Sequence, residues 1–244
     1  APNITAERLQ RILQARGVRG ILIPPHQQGF SLPNFEWSQF SVVRLGISVK
    51  QPRVHVVTSD QMNCAVMAFE RIHERSYDRI GFVSSRRFDR NTGGSFRAGY
   101  LSAQDALLPA AQHLPPLFLE DESTPEDVRM LRAWLKKVKP QAVISTHATL
   151  HRLLKKIGVS VPDDLPVAAI SVLDGDFDAG VEQNSFAIGQ VAMRTLAAMI
   201  QQNERGIPQY CRRILVEGRW VEGSSLPSRS AAKSAELAPA MTRD

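Results

Sequence analysis

This sequence predicts an α/β fold built as two lobes around parallel sheets, and three observations point to it. Short apolar runs and amphipathic segments take turns from the first residues to about residue 226, the rhythm of strands joined by helical crossovers. The apolar runs are nearly continuous rather than alternating, as in strands covered on both faces. The chain has 244 residues, too many for one small core and enough for two lobes.

Each element follows from a local signal. Thr5 is a plausible N-cap, Glu7 sits in the first turn, and Leu9, Ile12 and Leu13 recur at helical spacing until Gly17. "GILIPP" is a short apolar run stopped by two prolines, hence a buried strand. Gly29 to Gln39 is loop-like, and "SVVRLG" and "RVHVVTSD" are two more strands. A helix spans about Gln61 to Glu74 with Ala65, Ala68, Phe69 and Ile72 on one face, and "RIGFVSS" is the next strand. In the second half "PPLFLE" is a strand, and Thr124 caps a helix carrying Val128, Leu131, Leu135 and Val138. "AVISTH" is a strand, "TLHRLLKKIG" a helix closed by Gly158, and "LPVAAIS" a strand. Ser185 to Asn203 forms a long helix, and "RRILVEGRWVEG" reads as one final strand. From Pro227 onward periodicity gives way to Ser, Ala, Pro and isolated charges, which predicts a disordered tail.

Composition excludes several classes. At 43% hydrophobic and 22% charged residues the chain reads as an ordinary globular protein. No apolar run approaches the roughly 20 residues of a membrane span. The amphipathic, charged start does not look like a signal peptide. Cys64 and Cys211 are far apart and lack metal-ligand spacing, which fits a reducing cytoplasm. The formal charge of +6 permits nucleic-acid contact without demanding it, because the basic residues are scattered along the chain. Neither a GxSxG elbow nor a P-loop occurs, and Gly93-Gly94 lacks the dinucleotide fingerprint. His147 and His151 have i, i+4 spacing but no carboxylate or cysteine at motif distance. No enzyme activity, cofactor or metal is expected.

The stretch "DRNTGGSFRAGY" carries the strongest local signal, with a glycine pair, Arg90 and Arg97, and Phe88 and Phe96 at the mouth of a helix. It reads as an anion site, as a clamp for a flat or hydroxyl-rich small molecule, or as a solvated loop.

Five strings in order then resemble the effector-binding core of the lactose-repressor (LacI/GalR) family of transcription regulators. They are "ARGVRGILIPP", "VTSDQMNCAVMAFERIHERSYDRIGFVSS", "IGVSVPDDLPVAAIS", "GVEQNSFAIGQVAMRTL" and "RRILVEGRWVEGSSL". "RNTGGSFRAGY" is similar to the purine-repressor branch, where an arginine and a threonine hold the effector; the matching positions are Arg90 and Thr92. Where the family places a ligand arginine this chain has Phe96, an aromatic platform or a packing residue. Asp60, at a strand's C-terminal end, matches an effector-binding acid, with an N-cap as its alternative role. Gln183 matches a contact between the lobes. His147 and Ser171 stand where many members carry an asparagine and an aspartate that grip sugar hydroxyls, and the replacement argues against a simple sugar.

The resemblance implies two Rossmann-like lobes of periplasmic-binding-protein-like type I, with a ligand cleft between them. The first lobe would hold residues 1–84 and 185–214, the second 85–184 and 215–226, with 227–244 as tail. It implies the effector-binding and dimerisation core of a regulator sensing a sugar or purine-like molecule; a periplasmic-type solute-binding protein is the alternative. The partners implied are a small-molecule effector, a second copy in the full-length protein, and operator DNA reached through a DNA-binding domain that this chain does not contain. The family's first strand, first helix and second strand also have no counterpart here, so "GILIPP" is expected at a sheet edge.

Overall fold

The structure is a computed structural model and describes residues 5–26, 31–120 and 124–229. The first part of the Gly29–Gln39 loop and most of the expected tail lie outside the described residues. In chain order the elements are α1 (Ala6–Ala15), β1 (Gly20–Ile23), β2 (Ser41–Leu45), β3 (His55–Ser59), α2 (Gln61–His73), β4 (Ile80–Ser85), α3 (Arg86–Asn91) and α4 (Ser95–Leu107). There follow β5 (Leu117–Leu119), α5 (Pro125–Val138), β6 (Ala142–Ser145), α6 (Leu150–Lys156), β7 (Val167–Ala169), β8 (Gly180–Glu182), α7 (Ser185–Gln201), β9 (Arg213–Val216) and β10 (Arg219–Val221).

They form two compact units. Unit 1 comprises Ala1–Asp60, Asn91–Gly93 and Asn184–Glu217; unit 2 comprises Gln61–Arg90, Gly94–Gln183 and Gly218–Asp244.

Unit 1 is a parallel sheet of order β1-β2-β3-β9. Side chains alternate across it as the pleat requires. Ile21, Ile23 and Val42 pack under α1 with Phe35 and Phe40, whereas Leu22, Val43 and Val57 meet Ala192, Leu196 and Met199 of α7. The Arg8 N–H donates to Thr5 Oγ1 at 3.3 Å, which confirms the N-cap. β9 is locked through buried His55. Its Nδ1 accepts the Arg212 N–H at 3.0 Å, and its Nε2 lies 2.7 Å from Glu204 Oε1 and 2.9 Å from the Arg212 guanidinium.

Unit 2 has the order β10-β8-β7-β6-β4-β5, parallel except for antiparallel β10. One face is covered by α2 and α4, with Phe69, Phe82 and Tyr100 at its centre. The other is covered by α5 and α6 through Leu131, Trp134, Leu150 and Leu153. Thr124 and Asp127 form a reciprocal capping box at the start of α5.

Three expectations need correction. The first boundary was expected after Ser84 and falls after Asp60. The reason is packing: α2 lies against α4, and β4 pairs with β6 and β5 in the second sheet. "RRILVEGRWVEG" is two strands, with β9 in the first sheet and β10 in the second. The chain divides between Glu217 and Gly218, where a Cβ on Gly218 would come within 2.8 Å of Cys64 Sγ and Val181 Cγ1. Only a glycine passes this close to both. β8, three residues long, was not anticipated.

Candidate functional site

The connection order of unit 2 singles out one place on its sheet. From β4 the chain steps outward to β5, then returns to the opposite side of β4 to lay down β6, β7 and β8 in turn. The winding reverses between β4 and β6, and α4 and α5 accordingly cover opposite faces. The crevice at the C-terminal ends of two such strands is where open α/β sheets hold ligands.

The carboxyl ends of these two strands carry hydroxyl residues. β4 ends in Ser84 and Ser85, both buried, and Thr146 follows β6 directly. Thr146 Oγ1 donates to Ser84 Oγ at 2.7 Å, bridging the two strands. Ser85 Oγ accepts the Phe88 N–H at 3.0 Å and so caps α3. Along the same edge Ser171 follows β7 and donates to Asp174 Oδ2 at 2.6 Å. Gln183 follows β8, and its Nε2 donates to the Ile170 carbonyl at 3.2 Å. Arg90 is exposed in the last turn of α3.

The structure thus gathers Ser171 and Gln183 of the expected residues along one edge of unit 2. Arg90 belongs to the helix leading away from β4. Asp60 and Thr92 belong to unit 1: Asp60 stands between β3 and α2, and Thr92, buried, lies in the turn between α3 and α4. Gly93 and Gly94 both adopt left-handed conformations there, at φ of 62° and 71°, which explains why two glycines are needed.

Two expected residues act from behind. Phe96 is 2% exposed and stacks on Phe88, with centroids 5.7 Å apart and planes 18° from parallel. It is a core residue and presents no open aromatic face. His147 is also buried, and both its nitrogens are used within the protein. Nδ1 accepts the Thr149 N–H at 3.3 Å, so Nε2 carries the proton and donates to the Glu120 carbonyl at 2.8 Å. It ties the turn after β6 to the segment after β5, and it precedes α6 rather than sharing a helix with His151. Arg97, adjacent to the expected cation position, pairs with Asp89 at 3.2 Å and lies over the Phe118 ring. It braces the α3–α4 turn.

Ser84, Ser85 and Thr146 were not singled out in the sequence. The only signal was that two strand strings end in hydroxyl residues, and nothing local said that the two ends meet. As a chemical surface the crest offers hydroxyl and amide groups that donate and accept. None of the serines there is hydrogen-bonded to an imidazole that could activate it. Among the described residues there is no cluster of His, Cys, Asp and Glu able to hold a metal ion. No described helix is long and apolar enough to cross a membrane.

Known proteins give the fold its place. Residues 69–226 match the family of periplasmic binding protein-like domains. A LacI family transcriptional regulator from Enterococcus faecium with bound ribose superposes with a TM-score of 0.64 at 18% identity, over 93% of this chain and 85% of that one. The transcription regulator CcpA of Lactococcus lactis gives 0.62 at 16% identity, over 91% and 83%. A periplasmic binding protein/LacI transcriptional regulator from Alkaliphilus metalliredigens complexed with D-xylulofuranose gives 0.61 at 18%, over 91% and 84%. Among curated protein sequences none matches. The winding reversal between β4 and β6, the helices on both faces of each sheet and the family match agree: this chain belongs to the periplasmic binding protein-like domain family and shares its fold with LacI-family transcriptional regulators.

Proposed function

We propose that this chain is the effector-binding core of a LacI-type transcription regulator, and that the crest of unit 2 holds a neutral, hydroxyl-rich small molecule of the sugar or purine-nucleoside class. The observation that carries the reading is the set of hydroxyls at the carboxyl ends of β4 and β6, where the winding reverses, anchored by the Thr146–Ser84 hydrogen bond. Groups that both donate and accept match sugar hydroxyls, which do the same. The sugars bound to the Enterococcus faecium and Alkaliphilus metalliredigens proteins support this class. Ser171, Gln183 and Arg90 extend the contact surface on unit 2. Phe96 and His147 position these groups without touching the ligand. In the whole regulator a second copy and operator DNA are the further partners, DNA being read by a separate segment. The cytoplasm is the compartment, where the free thiols Cys64 and Cys211 stay reduced.

The experiment is a thermal-shift and calorimetric screen with D-ribose, D-xylulose, cellobiose and adenosine. A ligand at 100 times its Kd stabilises the folded state by about 2.7 kcal/mol, a clear rise in Tm. Absence of binding by the whole panel at millimolar concentration, or binding that Thr146→Val and Ser84→Ala leave untouched, would remove the crest as the site.

A further inference from the structure

Part of the basic charge that is dispersed along the sequence gathers on one surface. α5 and α6 pack side by side on one face of the unit 2 sheet, burying Leu131, Trp134, Leu150 and Leu153 beneath them. Their outward sides are almost purely cationic. α5 exposes Arg132, Lys136 and Lys137, and Lys139 follows at its end. α6 exposes Arg152, Lys155 and Lys156. Among the described residues none of these seven is in an ion pair; Arg129, nearby on α5, is paired with Glu126. The other acid on the two helices, Asp127, is buried in the capping box. Asp163 and Asp164 lie in the turn after α6, where Asp164 is taken up by Ser160. Seven unpaired cations exceed the whole chain's formal charge of +6, so the rest of the molecule is close to neutral.

Helix electrostatics account for part of this only. Lysines in a last turn complement the helix dipole, as Lys136, Lys137, Lys155 and Lys156 do. Arg132 lies in the body of α5 and Arg152 near the start of α6, where a cation gains nothing from the dipole.

What the patch lacks identifies its partner. None of the exposed large hydrophobic side chains lies on α5 or α6, so the apolar centre of a protein–protein interface is missing. The one aromatic ring system of α5, Trp134, is 8% exposed and donates its Nε1–H to the Pro115 carbonyl, so α5 has no platform for stacking unpaired bases, and the His151 ring of α6 is engaged edge-on with Phe177 at 6.1 Å. Charge without apolar or aromatic anchors suits a regular array of phosphates. α5 is about 20 Å long, and duplex DNA presents about twelve phosphate charges over that distance. We propose that the α5–α6 face of unit 2 binds the backbone of duplex DNA without regard to sequence. This surface stands apart from the crest and does not rest on the effector reading.

The test is fluorescence anisotropy of the whole chain with a labelled random-sequence duplex, titrated from 50 to 200 mM NaCl without effector. Two quadruple variants are compared: K136Q/K137Q/K155Q/K156Q on the patch, and R8Q/R11Q/R16Q/R19Q at exposed positions of unit 1. Both lower the net charge equally, and circular dichroism verifies that both fold. The patch variant should bind at least tenfold more weakly and flatten the slope of log K against log salt by up to about 3.6, near 0.9 for each phosphate no longer neutralised. The unit 1 variant should stay within about threefold of the parent. Equal weakening by both would mean that only net charge matters and overturn the proposal. So would displacement of the duplex by poly-glutamate of matched charge as readily as by unlabelled duplex, which would assign the face to acidic proteins. Absence of duplex binding by the parent chain at 50 mM salt would overturn it as well.

Discussion

Thr146 and Ser84 lie 62 residues apart in sequence and share a 2.7 Å hydrogen bond across the point where the sheet of unit 2 reverses its winding. The donor follows β6 and the acceptor belongs to the end of β4, two strands that pair in parallel from Ile80–Ala142 to Val83–Ser145. Ladder register brings the hydroxyls together, and the register is fixed by the apolar residues beneath them. A polar pair at the carboxyl edge of the sheet is thereby held by the core rather than by a loop.

Removing the donor alone separates its two roles. Thr146→Val keeps the shape and deletes the hydroxyl, while Ser84 Oγ keeps a longer contact to the Ser85 carbonyl. Folding stability should fall by about 1 kcal/mol, the net worth of one hydrogen bond. Affinity for whichever screened polyol binds best should fall about tenfold, or about 1.4 kcal/mol. Urea unfolding and calorimetry on the same samples check both. A stability loss with full affinity would make the pair purely structural.

A second expectation concerns the approach of α2 to α4. A Cβ on Gly99 would stand 2.2 Å from the Met62 carbonyl oxygen and 3.0 Å from Ala65 Cβ. Gly99 is therefore the point that lets the two helices close over Phe69 and Tyr100, whose rings lie 5.8 Å apart. Gly99→Ala would gain up to about 1 kcal/mol in helix propensity. Overpacking against backbone costs about 1–3 kcal/mol and outweighs it. The urea midpoint should drop, and amides in α2 and α4 should exchange faster than those in α5. An unchanged midpoint would mean that the helices part at no cost.

How far the sequence could be read depends on whether each signal was local. The Thr5 and Thr124 caps, the strand "RIGFVSS" and the helix over Ser185 follow from spacing and flanking residues, and the structure shows them. Sheet membership does not follow from spacing. α2 has the same apolar stripe whichever lobe it covers, so nothing in Gln61–His73 announces that it packs on α4. Phe96 illustrates the limit at the site. Four residues before Tyr100, it falls on the buried face of α4, but its neighbours left a ligand platform equally open. The patch on α5 and α6 was invisible for the same reason, since its two cationic segments meet only after folding.

Acid should loosen the C-terminal end of unit 2. The Asp178 carboxylate accepts the Ser224 N–H at 2.8 Å, and the Ser225 N–H and Ser224 hydroxyl at the same distance. The Ser224 amide above all, with these others, holds its pKa well below the usual carboxylate range, against the opposing effect of burial. The folded value lies below the unfolded value of about 3.9. Its stabilisation is therefore complete above the unfolded value and is lost as pH falls through the folded one. Ser225 is also what Val167 and Ala179 bond to, so its release would free the edges of β7 and β8. Asp178→Asn should lower stability at neutral pH and flatten its decline between about pH 4 and 2, followed by denaturant midpoints across that range. A parallel decline in both proteins would place the acid-sensitive group elsewhere.

The edge of unit 1 gives the last expectation. β1 pairs with β2 alone, whereas β2 lies between β1 and β3. An edge position was expected for "GILIPP", and the described sheet has it there. In a parallel ladder half the N–H groups of an edge strand point away from its neighbour, leaving a row of donors for solvent or for another strand. β1 carries no charge within Gly20–Ile23 to discourage that pairing, and Pro24 and Pro25 blunt only its end. Beside it, Leu22 and the exposed Phe186 and Met193 of α7 form an open apolar shelf. β6, by contrast, is bonded on both sides by β4 and β7 and buried throughout. Hydrogen exchange should therefore find the β1 amides opening at least about 100-fold faster than those of β6, a gap of about 2.7 kcal/mol in local stability. Those of β2 should lie between. Phe186→Ser, which removes the most exposed apolar side chain of the shelf, should raise solubility without lowering the unfolding midpoint. Equal protection of β1 and β6 would show that something covers the edge. Light scattering on the same sample would then distinguish a second copy, which doubles the mass, from a segment of the same chain, which does not.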